Sequence, residues 1–370
     1  MLYYARNNTL PDKAVLRLPA TPLKKEESVM FGMQATPYDR RVYEEQLADF
    51  LPDHLIDVHV HLWTQAMREN YQRSENLVTW PDLVAPDCTI EDLLESYRVM
   101  FPGKTVRPVL MTTPTCILEK GNAYALDCAR KEGLPVLYCT RPTTTTEEIR
   151  QAFKDGFCGI KPYLNHAAAY IPANEIRIYD FLTPEQLALM DELHGVVMLH
   201  ISRPGRLADP VNIAQMMEID EKYPNAKVII AHIGRAYTPE ALGNAFDTLR
   251  HTKNLSFDFT ANTFTPAMTA CLEAVGPKRL MFGSDMPITK IRMYRIVENG
   301  TYINVVPRGM YGDVSNDIHM RESDDGDHIT TFMYEELLAF KRAAETLHLS
   351  RADVEDILCK NAARMFGMDE

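Results

Sequence analysis

The stretch 55-LIDVHVHL-62 decides how the rest of the chain is read. Five of its eight residues are Leu, Ile or Val, the composition of a parallel strand buried on both faces. Residues two apart on a strand project to the same side, so His59 and His61 lie next to each other, on the face expected to be the barrel interior. They are either two satisfied core histidines or a chelate. Four ring nitrogens in an apolar strand need partners, which favours the chelate.

Seven runs of the same kind follow: 105-TVRPVLMTTP, 134-LPVLYCT, 156-GFCGIKPYL, 196-VVMLHIS, 227-KVIIAHIG, 255-LSFDFTA and 279-RLMFGSDMPI. The segments between them carry helical spacing and start signals, as in 89-TIEDLLESYRVMF, 183-TPEQLALMDELHG and 238-TPEALGNAFDTLRH. In the last two Thr caps the helix, Pro occupies its first turn and Glu follows. Eight consecutive βα units favour a closed (β/α)8 TIM barrel over a doubly wound open sheet. The first strand is expected at about 55–62, the last at about 279–286, with closing helices near 334–347 and 350–366.

Three stretches fall outside the repeat. Residues 1–54 form an N-terminal extension ahead of the barrel of residues 55–370, with a helix at 38-YDRRVYEEQLADF. The more irregular part, 1–37, is expected to cover the barrel bottom or reach another subunit. Residues 63–88 lengthen the loop after the first strand. Residues 289–333 are an insertion after the eighth strand, where 292-RMYRIVENGTYINVV places an Asn-Gly turn between β-rich arms, the signal of a β-hairpin. Both insertions follow strands, so both should sit over the C-terminal mouth, where barrel active sites are built. An extension and a hairpin that closure does not require suggest a homo-oligomer, or else a lid over the chain's own barrel.

Composition narrows the partners. Hydrophobic residues at 46% and charged residues at 24% are those of an ordinary folded chain, which argues against disorder. The net charge of −12 repels phosphate backbones and anionic lipid, so no nucleic acid and no membrane partner is expected. The first twenty residues lack the apolar core of a signal peptide. The seven cysteines are odd in number, widely spaced and never in a CxxC pair. They read as reduced thiols, and the expected compartment is cytoplasmic.

Beyond the first strand, His200 ends the fifth, His232 lies near the end of the sixth and Asp285 ends the eighth. Singly, each has an ordinary structural explanation, a packed core histidine or a capping carboxylate. Together they bring five polar groups to one end of one barrel. Neutral imidazoles with a carboxylate suit zinc, and also manganese or iron.

With 57-DVHVH, the two later histidines, 283-GSDMP and the closing 361-NAARMFGM in place, the chain resembles the amidohydrolase superfamily over about 55–370, specifically its amidohydrolase-2 branch. That branch includes metal-dependent hydrolases and decarboxylases of the aminocarboxymuconate-semialdehyde type. The resemblance implies that His59, His61, His200 and Asp285 hold one divalent metal ion, zinc with manganese or iron as alternatives. It implies that Asp285 accepts a proton from the activated water and that His232 hydrogen-bonds the water or the substrate's reacting oxygen.

Further residues are candidates for substrate binding. Lys161, at the end of the fourth strand, would meet a substrate carboxylate or phosphate, or, carbamylated, bridge two metals. Arg203 and Arg206 follow His200 and present forks suited to a carboxylate, with pairing of Arg203 to the local Asp209 as the structural alternative. Tyr163, Asn165 and His166 would line the pocket. The expected function is hydrolysis of a C–N or C–O bond of a small anionic metabolite. Decarboxylation of a small carboxylic acid is the alternative, and a catalytically silent ligand-binding barrel the third reading.

Overall fold

The computed structural model describes residues 34–68 and 84–369. Eight parallel strands run in chain order: β1 (His54–Leu62), β2 (Thr105–Thr112), β3 (Leu137–Thr140), β4 (Gly159–Pro162), β5 (Val196–Leu199), β6 (Lys227–Ile230), β7 (Ser256–Asp258) and β8 (Leu280–Met281). β1 pairs with β2, and β3 through β8 form one continuous sheet.

Two joints turn these pieces into a ring. Between β2 and β3, Leu110 N–H donates to Pro135 O at 2.9 Å and Leu110 bridges Val136. Between β8 and β1, Val58 N–H donates to Phe282 O at 3.0 Å, Asp285 N–H to His59 O at 2.8 Å and His61 N–H to Met286 O at 2.8 Å. The chain is therefore an α/β barrel, and the open doubly wound sheet is excluded.

The crossover helices begin as their sequences dictate. Thr89 caps Ile90–Met100 and Thr183 caps Pro184–Leu193, each in a reciprocal box with the residue three positions on, Asp92 and Gln186. The stretch 238-TPEALGNAFDTLRH differs from its expected single helix. It breaks into Pro239–Leu242 and Ala245–Leu249, because Gly243 takes φ 49° and ψ −137°, outside any helix.

The core has two layers. Ile56, Val58, Val109, Met111, Leu137, Met198 and Ile229 fill the barrel, closed below by Cys359, Ala362 and Ala363 of the C-terminal helices. Leu55, Val60, Leu62, Leu110, Val197 and Ile230 face the surrounding helices. On β1 the phase changes: Ile56 and Val58 point inward, yet so do His59 and His61, while Val60 and Leu62 point out. The β1–β2 register shifts between Asp57 and Val60, and one slipped residue inverts every later side chain. That irregularity turns both histidines into the barrel.

The insertion folds as its Asn-Gly signal demands. β9 (Tyr294–Glu298) and β10 (Thr301–Pro307) are antiparallel, with Asn299 and Gly300 at φ 50° and 74° in the turn. A third strand that the sequence did not announce, β11 (Met320–Ser323), adds parallel to β10. The expectation for residues 1–37 falls mainly outside the described residues, as does much of the loop at 63–88. Within the described part, the helix Pro37–Val42 continues through a wider π-helical turn to Leu47. Trp63 is buried, its indole N–H shared by the carbonyls of Ala85 and Pro86, and so serves packing.

Candidate functional site

Five side chains from four strand ends meet at the barrel mouth. His59 and His61 come from β1. His200 directly follows β5 and His232 lies two residues past β6. Asp285 lies four past β8 in the left-handed region at φ 60°. Gly283 makes that approach feasible, because a Cβ there would sit 2.8 Å from His59 Cβ.

The ring orientations follow from what each histidine touches. His61 Nδ1 lies 3.2 Å from Thr112 O, an atom that can only accept, so the ring proton is assigned to Nδ1 and Nε2 carries a lone pair. That lone pair faces Asp285 Oδ1 at 3.1 Å. Two acceptors at this distance need a cation between them, either a second ring proton or a metal ion. His59 Nδ1 donates to Asp258 Oδ2 at 3.1 Å, which leaves Nε2 facing the site, 3.3 Å from Lys161 Nζ. His200 buries an Nδ1 with no partner. One donor atom each from His59, His61 and Asp285 lies within 4.8 Å of the others, and the same holds for His59, His232 and Asp258. Orphaned nitrogen, opposed acceptors and a mixed imidazole–carboxylate set all fit a divalent ion.

His232 sits in an unusual turn. His232, Ile233, Gly234 and Arg235 all have φ between 47° and 62°, a conformation costly for a β-branched residue such as Ile233. The surroundings hold it in place. His232 N–H donates to Asp258 Oδ1 at 2.7 Å and its Nδ1 to Thr260 O at 2.9 Å, while the Asn262 amide donates to Ala236 O at 3.2 Å. The His232 ring lies between those of His59 and His200, with centroids 4.9 and 5.1 Å away.

Burial lowers the pKa of the His59, His200 and His232 rings. Burial, with the charges of Lys161 and His232, holds His59 well below its ordinary value. Burial, with His232 and Arg235, does the same for His200. For Asp285 burial acts upward, but the His61 hydrogen bond and the three histidine charges outweigh it and hold the carboxyl at about 2. Asp57, fully buried, is pushed up to about 6 although it accepts from Ser284 N–H at 2.8 Å and Tyr97 O–H at 2.7 Å. It positions the β1 and β8 backbones and does not face the histidine rings.

The substrate-binding expectations divide. Tyr163 is buried at the rim, its O–H donating to Thr112 O at 2.8 Å. Asn165 is exposed beyond it. His166 stacks edge to face on Tyr163, and burial together with Arg141 lowers its pKa to about 4. Lys161 is fully buried, its Nζ 3.3 Å from His59 Nε2 and its ammonium lowered to about 8 by burial, so it stands among the histidines. Arg203 is a correction. Its Nε donates to Asp209 Oδ1 at 2.9 Å and its Nη1 to Glu175 O, so the local carboxylate has taken up its fork.

Sequence reasoning missed Asp258. It lies at the end of β7 in 255-LSFDFTA, fully buried, and one carboxylate orients both His59 and the His232 backbone. Its place at a strand end was the available signal. Glu336 was also missed: its buried carboxylate accepts from Ala261 N–H at 2.6 Å.

Residues 56–368 match the protein-family model Amidohydro_2, described as Amidohydrolase. A curated relative, the "Probable dihydroorotase" of Schizosaccharomyces pombe, is 24% identical over 192 residues, 51% of each chain. The match thus spans about half the length of that relative. Among solved structures, an amidohydrolase from Burkholderia multivorans with bound zinc is 16% identical over 85% of this chain and 99% of its own, with a TM-score of 0.55. The 2,6-dihydroxybenzoate decarboxylase complexed with 2,6-dihydroxybenzoate is 12% identical over 86% of this chain and 100% of its own, with a TM-score of 0.51.

Proposed function

This chain belongs to the amidohydrolase family, and from that membership we propose that it is a metal-dependent hydrolase cleaving a C–N or C–O bond of a small anionic metabolite. The observation that carries the reading is the pair of opposed acceptors, His61 Nε2 and Asp285 Oδ1, 3.1 Å apart beside the inward-facing Nε2 of His59. His59, His61, His200 and Asp285 would hold one divalent ion, zinc first, with manganese or iron as alternatives. When bound, the ion supplies Lewis-acid activation of water near neutral pH.

The chain's own residues do the rest. Asp258 and the Thr112 carbonyl fix the tautomers that leave Nε2 of His59 and His61 unprotonated, as ligation requires. Thr260 O takes the Nδ1 proton of His232. His232 therefore presents Nε2 as an acceptor for the attacking water, and carries positive charge beside the reacting oxygen once it has taken that proton. Asp285, held below the ordinary carboxylate range, would pass that proton from the water to His232.

Decarboxylation is the second reading. The buried Lys161 ammonium, 3.3 Å from His59, is a proton source that a carbanion left by carbon dioxide would need.

Metal analysis of protein purified without chelator should return about one equivalent per chain, as a four-ligand site holds. His232→Ala should keep that metal and lose turnover by roughly 100-fold or more. A metal-free His232→Ala protein would move His232 among the ligands. Two equivalents, lost together on Lys161→Ala, would instead establish a bridged pair. A screen across lactones, amides and carboxylic acids ranks the two chemistries, and carbon dioxide release dependent on Asp285 would reverse the order.

A further inference from the structure

The insertion after β8 carries a guanidinium toward the mouth that the chemistry above does not use. Arg295, on β9, donates from Nη1 to Ala261 O at 3.0 Å and from Nε to Asn304 Oδ1 at 2.9 Å. Its Cζ lies 4.6 Å from the ring centres of both Tyr237 and Tyr302. Arg206, from the loop after β5, approaches the same two rings at 5.3 and 4.9 Å. The rings meet edge to face at 5.4 Å. Arg235, three residues past His232, is close enough for its charge to act on Tyr237, Arg206 and Tyr302, and on His200.

Arg206 and Arg295 thus pack on the same two tyrosine rings, and the charge of Arg235 acts on both rings. Among the described residues no carboxylate forms an ion pair with any of these arginines. Glu336 acts on Arg295 but is pushed well above its ordinary value by burial, while Glu240 lines the outer wall of a recess of about 210 Å³ with Arg206, Tyr302 and His319. Burial disfavours the charged forms of Arg235 and Arg295, and gathering like charges without a counterion costs stability. The tyrosine faces offset part of that cost.

Position ties the cluster to the reacting groups. The carbonyl that anchors Arg295 belongs to Ala261, and the carbonyl of the preceding residue, Thr260, holds the His232 ring. Consecutive carbonyls after β7 thus anchor Arg295 and the His232 ring.

We propose that Arg206, Arg235 and Arg295 form an oxyanion subsite that holds a carboxylate or phosphate group of the substrate, so that the insertion after β8 selects what the neighbouring centre turns over. Arg206, which makes no side-chain hydrogen bond among the described residues, offers a whole guanidinium fork to either group, and Arg295 offers Nη2, its Nε and Nη1 being held by Asn304 and Ala261. Selection for turnover rests on the metal-hydrolase reading above; anion binding does not.

The test is titration calorimetry of the full-length protein with succinate and with inorganic phosphate, at constant ionic strength against sodium chloride. Metal content is measured on each sample. Saturable binding of at least one probe is expected, weakened about tenfold or more in Arg206→Gln and in Arg295→Lys, the loss of one charge-assisted contact. The probe that binds identifies the group. Arg206 contributes ring contacts and no side-chain hydrogen bond among the described residues, so its replacement spares the fold even if Arg295→Lys does not. Binding should persist after chelation. No binding of either probe, binding unchanged in Arg206→Gln, or binding lost with the metal would overturn the subsite. Anion binding in a protein that never holds metal would leave the subsite standing and sink the metal-hydrolase reading.

Discussion

At the scale of single residues, the site depends on carboxylates whose two oxygens do different things. Asp258 receives His59 Nδ1–H on Oδ2 and the His232 and Thr260 N–H groups on Oδ1. Asp258→Asn replaces one of those oxygens with an amide that can only donate, so either the His59 tautomer or the His232 turn loses its acceptor. Apparent metal affinity should fall roughly 10- to 100-fold, read by competition with a chromogenic chelator, while circular dichroism stays as in the parent. Unaltered affinity would remove Asp258 from the positioning role. The histidines and Asp285 were legible in the sequence because strand ends are where barrels place chemistry. Arg203 was not, because a fork beside a ligand and a fork taken up by Asp209 six residues on have the same local sequence.

Elements carry the next set of consequences. The insertion after β8 is pinned to the N-terminal helix through Arg292, whose guanidinium reaches both oxygens of Asp39, with Thr330 O–H donating to the same carboxylate at 2.7 Å. Asp39 is fully buried and the Arg292 side chain is 13% exposed. Burial acts upward on the Asp39 carboxyl, but the Arg292 hydrogen bonds and charge outweigh it and hold it below its ordinary 3.8. A depressed folded value means that the pair stabilises above the unfolded pKa and is lost as pH falls through the folded one. Thermal unfolding of the parent should therefore steepen below about pH 4, and Asp39→Asn should remove that steepening. At pH 7 the same variant strands a buried guanidinium and should cost about 3–5 kcal/mol in denaturant unfolding. A loss under about 1 kcal/mol, the range of exposed pairs, would show the contact to be marginal. The Asn-Gly turn made the hairpin readable, whereas β11 was not, since its pairing with β10 joins segments separated by an irregular loop. The slip within β1 was equally hidden: spacing put His59 and His61 on one side, read as the interior, but the register shift that turns them there is set by pairing with β2.

For the molecule as a whole, eight βα units close into a barrel whose mouth takes four histidines and an aspartate from the ends of β1, β5, β6 and β8 and a guanidinium cluster from the loops above. We propose that the chain also self-associates. Sedimentation of the full-length protein should give a species larger than 42.2 kDa, and a version lacking residues 1–33 should shift toward the monomer. A monomer in both leaves the insertion as a lid over its own barrel. No helix among the described residues is long and apolar enough to cross a membrane. The alternation of buried strands and capped helices, the His59–His61 pair and the strand-end residues were determined by the sequence alone, because periodicity and capping are local and act over a few residues. Ring closure, the inward turn of β1, the capture of Arg203 by Asp209, the place of Asp258 and the gathering of Arg206, Arg235 and Arg295 were decided by tertiary structure. Each joins residues that only the closed ring or a folded loop brings together, and a side chain's partner, unlike its periodicity, is fixed by what packs opposite it.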